Sequence, residues 1–263
     1  MVAELISVGT EILLGNIVNT NAAYLAEKCA LLGLSLYHQS VVGDNEARME
    51  DTIRRALERS DVVILTGGLG PTKDDLTKEV TAKVFKKALC EDAHTKERIM
   101  EFFQKIHNGE KITENNWKQA LIPEGAIIVE NQNGTAPGLI VIGDEGSGYE
   151  GKRAILIPGP PNECIPMFET QIAPYLSDLQ PEGIYSSMVK VCAIGESRAE
   201  TMVADLMDAQ TNRPAPSRKN RRSTFSGDSQ GKGRGVGEVS DGSHAGGTEK
   251  NVLAITFIRR KRK

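Results

Sequence analysis

The stretch Val62–Val80, VVILTGGLGPTKDDLTKEV, decides the fold of this chain. It begins with an unbroken apolar run, which is typical of a parallel strand buried on both faces of a sheet. Glycines, a proline and two aspartates follow, and apolar residues then return at the spacing of a helix. A strand, a glycine-rich loop and a helix in this order predict one βα unit of a parallel sheet.

The same order recurs on both sides of that stretch. Strands are predicted at Met1–Val8, Leu34–Val42, Asp61–Thr66, Ala126–Val129, Leu139–Ile142 and Ala154–Ile157, and helices at Asn19–Leu34, Asn45–Arg59, Thr72–Lys87, His94–Ile106 and Glu114–Leu121. This alternation predicts an α/β fold with a doubly wound, mostly parallel sheet. We expect a linker near Pro174–Pro181, followed by a strand, a turn and a helix that begin a small α+β unit.

The composition is that of an ordinary soluble protein, with 263 residues of which 39% are hydrophobic and 25% charged. The N-terminal residues include no basic leader, and Glu4, Glu11 and Asn16 interrupt their apolar runs. Neither a signal peptide nor a membrane helix is indicated, so we expect a cytoplasmic protein with no membrane partner. The four cysteines form no CxxC pair, which is typical of reduced thiols rather than of a zinc or redox site.

Charge divides the chain into two unlike regions. Residues 211–263 hold 13 Lys and Arg against 4 Asp and Glu, so this tail carries +9 while residues 1–210 carry −12. Residues 211–250 also contain eight glycines and only five apolar residues, too few to offset the entropy of ordering. We therefore predict a basic, low-complexity and disordered tail. A genuine arm of this charge would bind nucleic acid or another anionic polymer.

The glycines after the central strand predict a phosphate site. Ligands of open α/β sheets bind beyond the carboxyl ends of the strands, where glycines let a phosphate reach backbone N–H groups without meeting a Cβ. With a helix starting near Thr72, its first turn would carry Asp74, Asp75 and Thr77. The two aspartates either complement the helix dipole or hold a divalent metal, Mg²⁺, Mn²⁺ or Co²⁺, beside the phosphate. The glycines expected to bind the phosphate are Gly67, Gly68 and Gly70.

Three further loops are expected at or near the same edge. The first begins with Gly9, Thr10 and Glu11, and is followed by Asn19 and Asn21, which suit either a helix N-cap or contact with a ribose or heterocycle. By themselves, the other two loops predict only turns. Their candidate residues are Gly134 and Thr135 in NGTAPG, and Pro158 and Gly159 in IPGPPNE.

Four motifs together resemble those of a known family. SVGTEILLGNIVNTN, LTGGLGPTKDDLT, NGTAPG and IPGPPNE are similar, in order and spacing, to the motifs of the CinA family, the competence/damage-inducible protein A group. The likeness covers Met1 to about Gln210. It implies an N-terminal MoaB/Mog-like domain of the molybdopterin-binding superfamily.

The resemblance can be carried over residue by residue. The superfamily's GGTG and DxT elements fall on Gly67–Gly70 and on Asp75 with Thr77, and Leu69 stands where the family has threonine. Asp74 belongs to the paired aspartates of the CinA type. The GDE and DSN elements correspond to GTE at position 9 and NTN at position 19, so two acidic positions of the superfamily are uncharged here.

The family implies metal-dependent hydrolysis of the pyrophosphate of ADP-ribose or a similar dinucleotide. In that interpretation Asp74, Asp75 and Thr77 are catalytic, the two aspartates hold the metal, and the other loop residues bind a nucleotide or pterin phosphate. Two alternatives stay open: a binding module without turnover, and an inactive truncated product. Relatives self-associate, so the resemblance also implies a homo-oligomer.

The resemblance also sets the expected domains. We assign residues 1–173 to the MoaB/Mog-like domain, 182–210 to part of a KH-like unit and 211–263 to an aberrant tail, and we expect the family's C-terminal nicotinamide mononucleotide amidase domain to be absent. A shift of reading frame near Thr211–Arg213 would explain the tail. One back-translation of Lys219–Ser229 reads KTGEVHFRVT in the next frame, which resembles the strand expected at this point. The genomic sequence tests this hypothesis.

Overall fold

The computed structural model describes residues 1–106 and 112–179 and, beyond them, strands at 182–192, 222–223, 239–241 and 252–262 with the single residues 198 and 201. The chain divides into two compact units. The first comprises Met1–Ala30 with Leu34–Gln180, and the second comprises Leu31–Gly33 with Pro181–Lys263.

Strands and helices alternate through most of the first unit. Its strands are β1 Val2–Val8, β2 Ser35–Val42, β3 Val62–Thr66, β4 Leu89–Glu91, β5 Leu121–Pro123, β6 Ile127–Val129, β7 Gly138–Ile142 and β8 Arg153–Ile157. Its helices are α1 Thr10–Leu13, α2 Thr20–Leu31, α3 Glu46–Arg59, α4 Thr77–Val84, α5 Ala93–Ile106, α6 Glu114–Trp117, α7 Pro161–Met167 and α8 Ala173–Leu179. A 3₁₀ turn, Lys118–Ala120, follows α6, and a π-helical turn, Phe168–Ile172, follows α7.

A six-stranded sheet forms the centre of this unit, in the order β2-β1-β3-β8-β7-β6. Neighbouring strands from β2 to β8 are parallel, and β7 runs antiparallel to both β8 and β6. The chain passes from β1 outward to β2 and returns to β3 on the other side of β1, which places a topological switch point there. The predicted doubly wound and mostly parallel sheet is confirmed.

Helices cover both faces of the sheet, so β3 is buried along its whole length. On one face, Ile53 of α3 and Val80 of α4 belong to the same core cluster as Val63 and Leu65 of β3. The alternate residues of the strands face the other way. On that second side the ring of Tyr24 in α2 meets the ring of Phe168 edge-on, with centroids 6.2 Å apart.

The helix predicted from Thr72 begins later, at Thr77. Asp75 Oδ2 accepts hydrogen bonds from the backbone N–H and the hydroxyl of Thr72, at 2.9 and 2.6 Å. Such local side-chain bonds offer the backbone an alternative to the helical pattern. Asp74 and Asp75 therefore lie in a loop before α4, and the prediction that they occupy its first turn was wrong.

The linker expected from Pro174 is also different in the structure. Residues Ala173–Leu179 form α8, and Leu176 is fully buried. Proline is compatible with the first positions of a helix, where its missing N–H has no intrahelical partner. The boundary between the two units falls after Gln180.

The second unit contains an antiparallel sheet in the order β10-β11-β12-β9. Its strands are β9 Glu182–Cys192, β10 Arg222–Ser223, β11 Val239–Asp241 and β12 Val252–Arg262. The strand predicted at the start of this unit is β9, while most of the helix predicted after it lies outside the described residues. Three of these strands, β10, β11 and β12, fall within the tail that was predicted to be disordered. The prediction used the average composition of the tail, which does not reveal short segments that pair through their backbones. The rest of that tail lies outside the described residues.

None of the helices in the described part of the chain is both long enough and apolar enough to cross a membrane.

Candidate functional site

A cleft of about 870 Å³ opens at the carboxyl ends of three neighbouring parallel strands. The chain leaves β1 at Gly9, β3 at Gly67 and β8 at Pro158, and all three residues line the cleft. The loop before β7 reaches the same place because β7 runs in the opposite direction. Thirteen of the fifteen predicted residues line the cleft: Gly9, Glu11, Asn19, Asn21, Gly67, Gly68, Gly70, Asp74, Asp75, Gly134, Thr135, Pro158 and Gly159.

The glycine loop after β3 leaves no room for side chains. Gly67 has a φ of 96°, and a Cβ there would lie 2.3 Å from the carbonyl oxygen of Val8. Gly68 has a φ of 67°, and its Cβ would lie 2.2 Å from Thr77 Oγ1. Both positions therefore require glycine for conformation and for space. The loop brings bare backbone to the floor of the cleft.

The backbone N–H groups of this loop differ in what they can bind. The N–H of Gly67 donates to the carbonyl of Ile157 at 3.0 Å, so it is already used within the sheet. Among the described residues, the N–H groups of Gly68, Leu69 and Gly70 have no acceptor. An anion would be held by these three groups rather than by Gly67, which corrects the role expected of Gly67.

Thr77 does not line the cleft formed by the described residues. Its hydroxyl donates to the carbonyl of Gly67 at 2.8 Å, and its N–H donates to the carbonyl of Gly68 at 3.1 Å. The side chain is fully buried. Thr77 is thus a positioning residue that fixes the glycine loop, and the prediction that it is catalytic is corrected.

Asp75 and Asp74 stand at the cleft in different environments. Asp75 is half-buried and lies so close to Gly70 that a Cβ on Gly70 would be 2.6 Å from Asp75 Oδ2. Asp74 is exposed. Asp75 is therefore held in the loop by its bonds to Thr72, whereas Asp74 is free to turn towards a ligand.

The amino-terminal loop adds a carboxylate that the sequence did not single out. Thr10 donates from its N–H and its hydroxyl to Asp44 Oδ2, at 3.0 and 2.8 Å. Asp44 is one of the described residues that line the cleft, and Thr10 is not. Thr10 orients Asp44 and does not itself face the ligand position. Glu11 lies against Gly9, where a Cβ would be 2.4 Å from Glu11 Oε1.

The two asparagines predicted to contact a ribose or to cap a helix differ in what they do. Asn19 Oδ1 accepts from the N–H of Ala22 at 3.2 Å, and its Nδ2 donates to the hydroxyl of Ser7 at 2.8 Å. Asn19 therefore caps the start of α2. Asn21 Nδ2 donates across the cleft to the carbonyl of Gly159 at 2.7 Å.

Glu163, in the first turn of α7, links the two loops that the sequence predicted only as turns. Asn131 Nδ2 donates to Glu163 Oε2 at 2.6 Å and to the carbonyl of Ala136 at 2.8 Å. A Cβ on Gly134 would lie 2.3 Å from Glu163 Oε2. Burial raises the pKa of the Glu163 carboxyl, and the bond from Asn131 offsets part of that rise. A cleft carboxyl with a raised pKa is suited to proton transfer.

Two residues after α6 hold the loop of β3 from outside. Lys118 Nζ donates to the carbonyl of Thr72 at 3.0 Å and also to the carbonyl of Asp75. Gln119 Nε2 donates to the carbonyl of Leu69 at 3.3 Å, and Gln119 lines the cleft. No motif in the sequence marks either residue.

The cleft is strongly acidic. Within the described part of the chain, its lining has no lysine, arginine or histidine. The described residues contribute five carboxylates to it: Glu11, Asp44, Asp74, Asp75 and Glu163. An anionic ligand held there at neutral pH needs a counter-charge, because like charges repel strongly where water is scarce.

The donor set fits a metal that keeps part of its coordination for ligand and water. Among the described residues, no group of three or more His, Cys, Asp or Glu side chains is arranged to hold a metal. Mg²⁺ commonly binds one or two carboxylates and completes its shell with phosphate oxygens and water. Asp74 and Asp75 can supply those carboxylates beside the free N–H groups of the glycine loop.

Together the sheet topology and the cleft define a class: a doubly wound α/β domain with a ligand site of glycine loops and carboxylates at the switch point. The chain belongs to the family described as the probable molybdopterin binding domain, whose model matches residues 4–178. The resemblance to the CinA family is also confirmed. A CinA-like protein of Dictyoglomus turgidum is 51% identical over 212 residues, which are 81% of this chain and 50% of the relative.

Two further relatives agree with this assignment. A protein of Clostridium beijerinckii, named as a competence-damage inducible protein, is 49% identical over 212 residues, 81% of this chain and 50% of its own. The crystal structure of CinA from Thermoplasma acidophilum, a protein described as of unknown function, superposes with a TM-score of 0.56 at 37% identity and covers 65% of this chain and 95% of its own. The chain spans about half the length of the curated relatives it matches.

Proposed function

We propose that the cleft binds a nucleotide or pterin phosphate and that the chain hydrolyses the pyrophosphate of ADP-ribose-like dinucleotides with a divalent metal. One observation carries the proposal: among the described residues, backbone N–H groups without an acceptor and five carboxylates line the same cleft. Backbone donors of this kind favour phosphate, and the carboxylates favour a cation. A phosphate and a divalent ion together satisfy both.

In this proposal, different residues bind the phosphate, hold the ion and transfer a proton. The N–H groups of Gly68, Leu69 and Gly70 hold the phosphate oxygens, and Asp74 holds the ion together with Oδ1 of Asp75, the oxygen that does not bond to Thr72. When bound, a divalent ion neutralises charge on the phosphates and acidifies a water molecule. Glu163 lies in the first turn of α7, just after the loop of β8, and burial raises its pKa. In this proposal it takes a proton from the attacking water as a carboxylate, or gives one to the leaving phosphate as a carboxylic acid.

The direct test is turnover of ADP-ribose by the purified chain with Mg²⁺, Mn²⁺ or Co²⁺. We expect Asp75→Asn to lower kcat/KM about 100-fold or more, because it removes a charge from the metal site and loosens the turn at Thr72. Asp51→Asn is the matched control, since Asp51 lies on the exposed side of α3 in an ion pair with Arg55. Absence of product with every metal, or full activity of Asp75→Asn, would overturn the proposal.

Binding without turnover is the second candidate, and membership of a family known as the probable molybdopterin binding domain, a name that refers to binding alone, favours it. A binding module would show ligand-dependent thermal stabilisation and no product. The third outcome, an inactive truncated product, would show neither. Thermal unfolding and product analysis on the same samples separate the three.

A further inference from the structure

Two amide oxygens in the cleft are buried without a hydrogen-bond partner. Among the described residues, Asn21 Oδ1 and Gln119 Oε1 have no donor within reach. Asn21 is 9% exposed and Gln119 is 2% exposed, and both line the cleft. A buried acceptor without a donor costs free energy. A site that retains two of them is prepared for a ligand that supplies the missing donors.

The orientation of both amides is fixed by their other ends. Asn21 Nδ2 donates to the carbonyl of Gly159, and Gln119 Nε2 donates to the carbonyl of Leu69. Turning either amide over would bring its oxygen against a carbonyl oxygen, and two acceptors repel. In each amide, the atom that lacks a partner among the described residues is therefore an acceptor, which takes an O–H or N–H group and rejects a phosphate oxygen.

The two acceptors stand on different sides of the glycine loop. Asn21 comes from α2 and reaches the loop of β8 at Gly159. Gln119 comes just before β5, whose Ile122 shares a core cluster with Val80 of α4 on the opposite face of the sheet. A ligand that satisfies both acceptors while its phosphates meet the glycine loop would carry a donor group on each side of those phosphates.

We propose that Asn21 and Gln119 accept hydrogen bonds from ribose hydroxyls on the two sides of a bound pyrophosphate, so that the cleft selects ribosyl pyrophosphates over compounds with a bare phosphate. The inference rests on the proposed function for the place of the phosphates. A dinucleotide-type pyrophosphate carries one sugar on each side, whereas a base amine supplies a donor on one side alone.

The test is a set of titrations in Mg²⁺ with α,β-methylene ADP-ribose, which cannot be cleaved at its bridge. We expect Gln119→Met and Asn21→Leu each to weaken this ligand about tenfold, since each removes one buried hydrogen bond. Binding of inorganic pyrophosphate, which has no hydroxyl, should change by less than about twofold in Asn21→Leu. Gln119→Met also removes the bond to the carbonyl of Leu69, so it should weaken both ligands, the dinucleotide by the larger factor. Gln39→Met, on the exposed side of β2, is the matched control and should change neither affinity.

A second test varies the ligand: it compares the binding of analogues that lack ribose hydroxyls to wild type and to the same two variants. Analogues that lack the ribose hydroxyls on one side should bind wild type about tenfold more weakly, and one of the two variants should lose no further affinity for them. Equal losses for pyrophosphate and the dinucleotide would overturn the inference, because they would indicate damage to the phosphate loop or contact with metal-bound water. Undiminished binding of the deoxy analogues would overturn it as well.

The outcomes separate this inference from the proposed function. Selective binding without hydrolysis of ADP-ribose would support the inference and refute the hydrolase. Hydrolysis without selectivity for ribose would refute the inference alone. Failure of both pyrophosphate and the methylene analogue to bind would refute both.

Discussion

The loops after β3 and β8 leave neighbouring parallel strands and reach the same cleft by different means. The loop of β3 begins with two glycines at positive φ, Gly67 and Gly68, and it is held by Thr77, Lys118 and Gln119. The loop of β8 has prolines that limit its backbone, and α7 begins at once at Pro161. The loop of β3 depends on several side chains around it, whereas the loop of β8 is limited by its own prolines and receives one bond from outside, from Asn21 to the carbonyl of Gly159. The first should therefore be much more sensitive to change.

The largest difference is expected between two glycine-to-alanine substitutions. Gly67→Ala should destabilise the first unit by about 2–4 kcal/mol, because its φ is positive and its Cβ would overlap the carbonyl of Val8. In Gly159→Ala the new Cβ meets only Gly67 Cα, at 3.5 Å, so we expect a loss below about 1 kcal/mol. Urea unfolding followed through the single tryptophan, Trp117, measures both. Similar losses would contradict the comparison.

The external support of the β3 loop should have the next largest effect. Lys118→Met removes bonds to the carbonyls of Thr72 and Asp75 and an ion pair with Glu79 at 3.6 Å, so we expect a loss of about 1–3 kcal/mol. The matched change near the loop of β8 is Asn133→Ala. The exposed side chain of Asn133 donates to the carbonyl of Asn162. That change should cost about 0.5 kcal/mol. A larger loss from Asn133→Ala than from Lys118→Met, by urea unfolding, would reverse the order.

The free energy of unfolding should also depend on pH through Glu163, which lies just after the loop of β8. The pKa of Glu163 is raised in the folded state, so at rising pH the unfolded chain loses this proton first. The stability of wild type relative to Glu163→Gln should therefore fall as pH rises from below the ordinary Glu range through the raised value, and then level off. Urea unfolding at pH 4 to 7 measures it. A relative stability that rises with pH would show that the carboxylate is stabilised instead.

The smallest effect is expected at Asp74. Because this side chain is exposed, Asp74→Asn should change the free energy of unfolding by less than about 0.5 kcal/mol. Asp75→Asn should cost about 1–2 kcal/mol, since Oδ2 of Asp75 holds the Thr72 turn. Thermal unfolding without ligand compares the two. Equal losses would mean that the turn does not depend on Asp75.

The sequence predicted the sheet because a run such as Val62–Thr66 is apolar throughout and its glycines mark where it ends. It predicted a helix from Thr72 wrongly because the competing turn depends on one side-chain oxygen of Asp75. The residues that complete the cleft were missed for a related reason. Gln119 and Asp44 come from distant stretches without a motif, and only the fold brings them to the switch point. Glu163 belonged to the quoted motif IPGPPNE, so its presence there was a usable signal.

Three carboxylates of the cleft occupy space that a glycine leaves empty: Glu11 at Gly9, Asp75 at Gly70 and Glu163 at Gly134. In each pair a larger residue at the glycine position would displace the acid. Evolution can therefore change the two members of a pair together more easily than one at a time. Among relatives, we expect loss of one of these glycines to accompany loss of its acidic partner. A redesign that replaces an acid by alanine should likewise open the paired glycine to substitution.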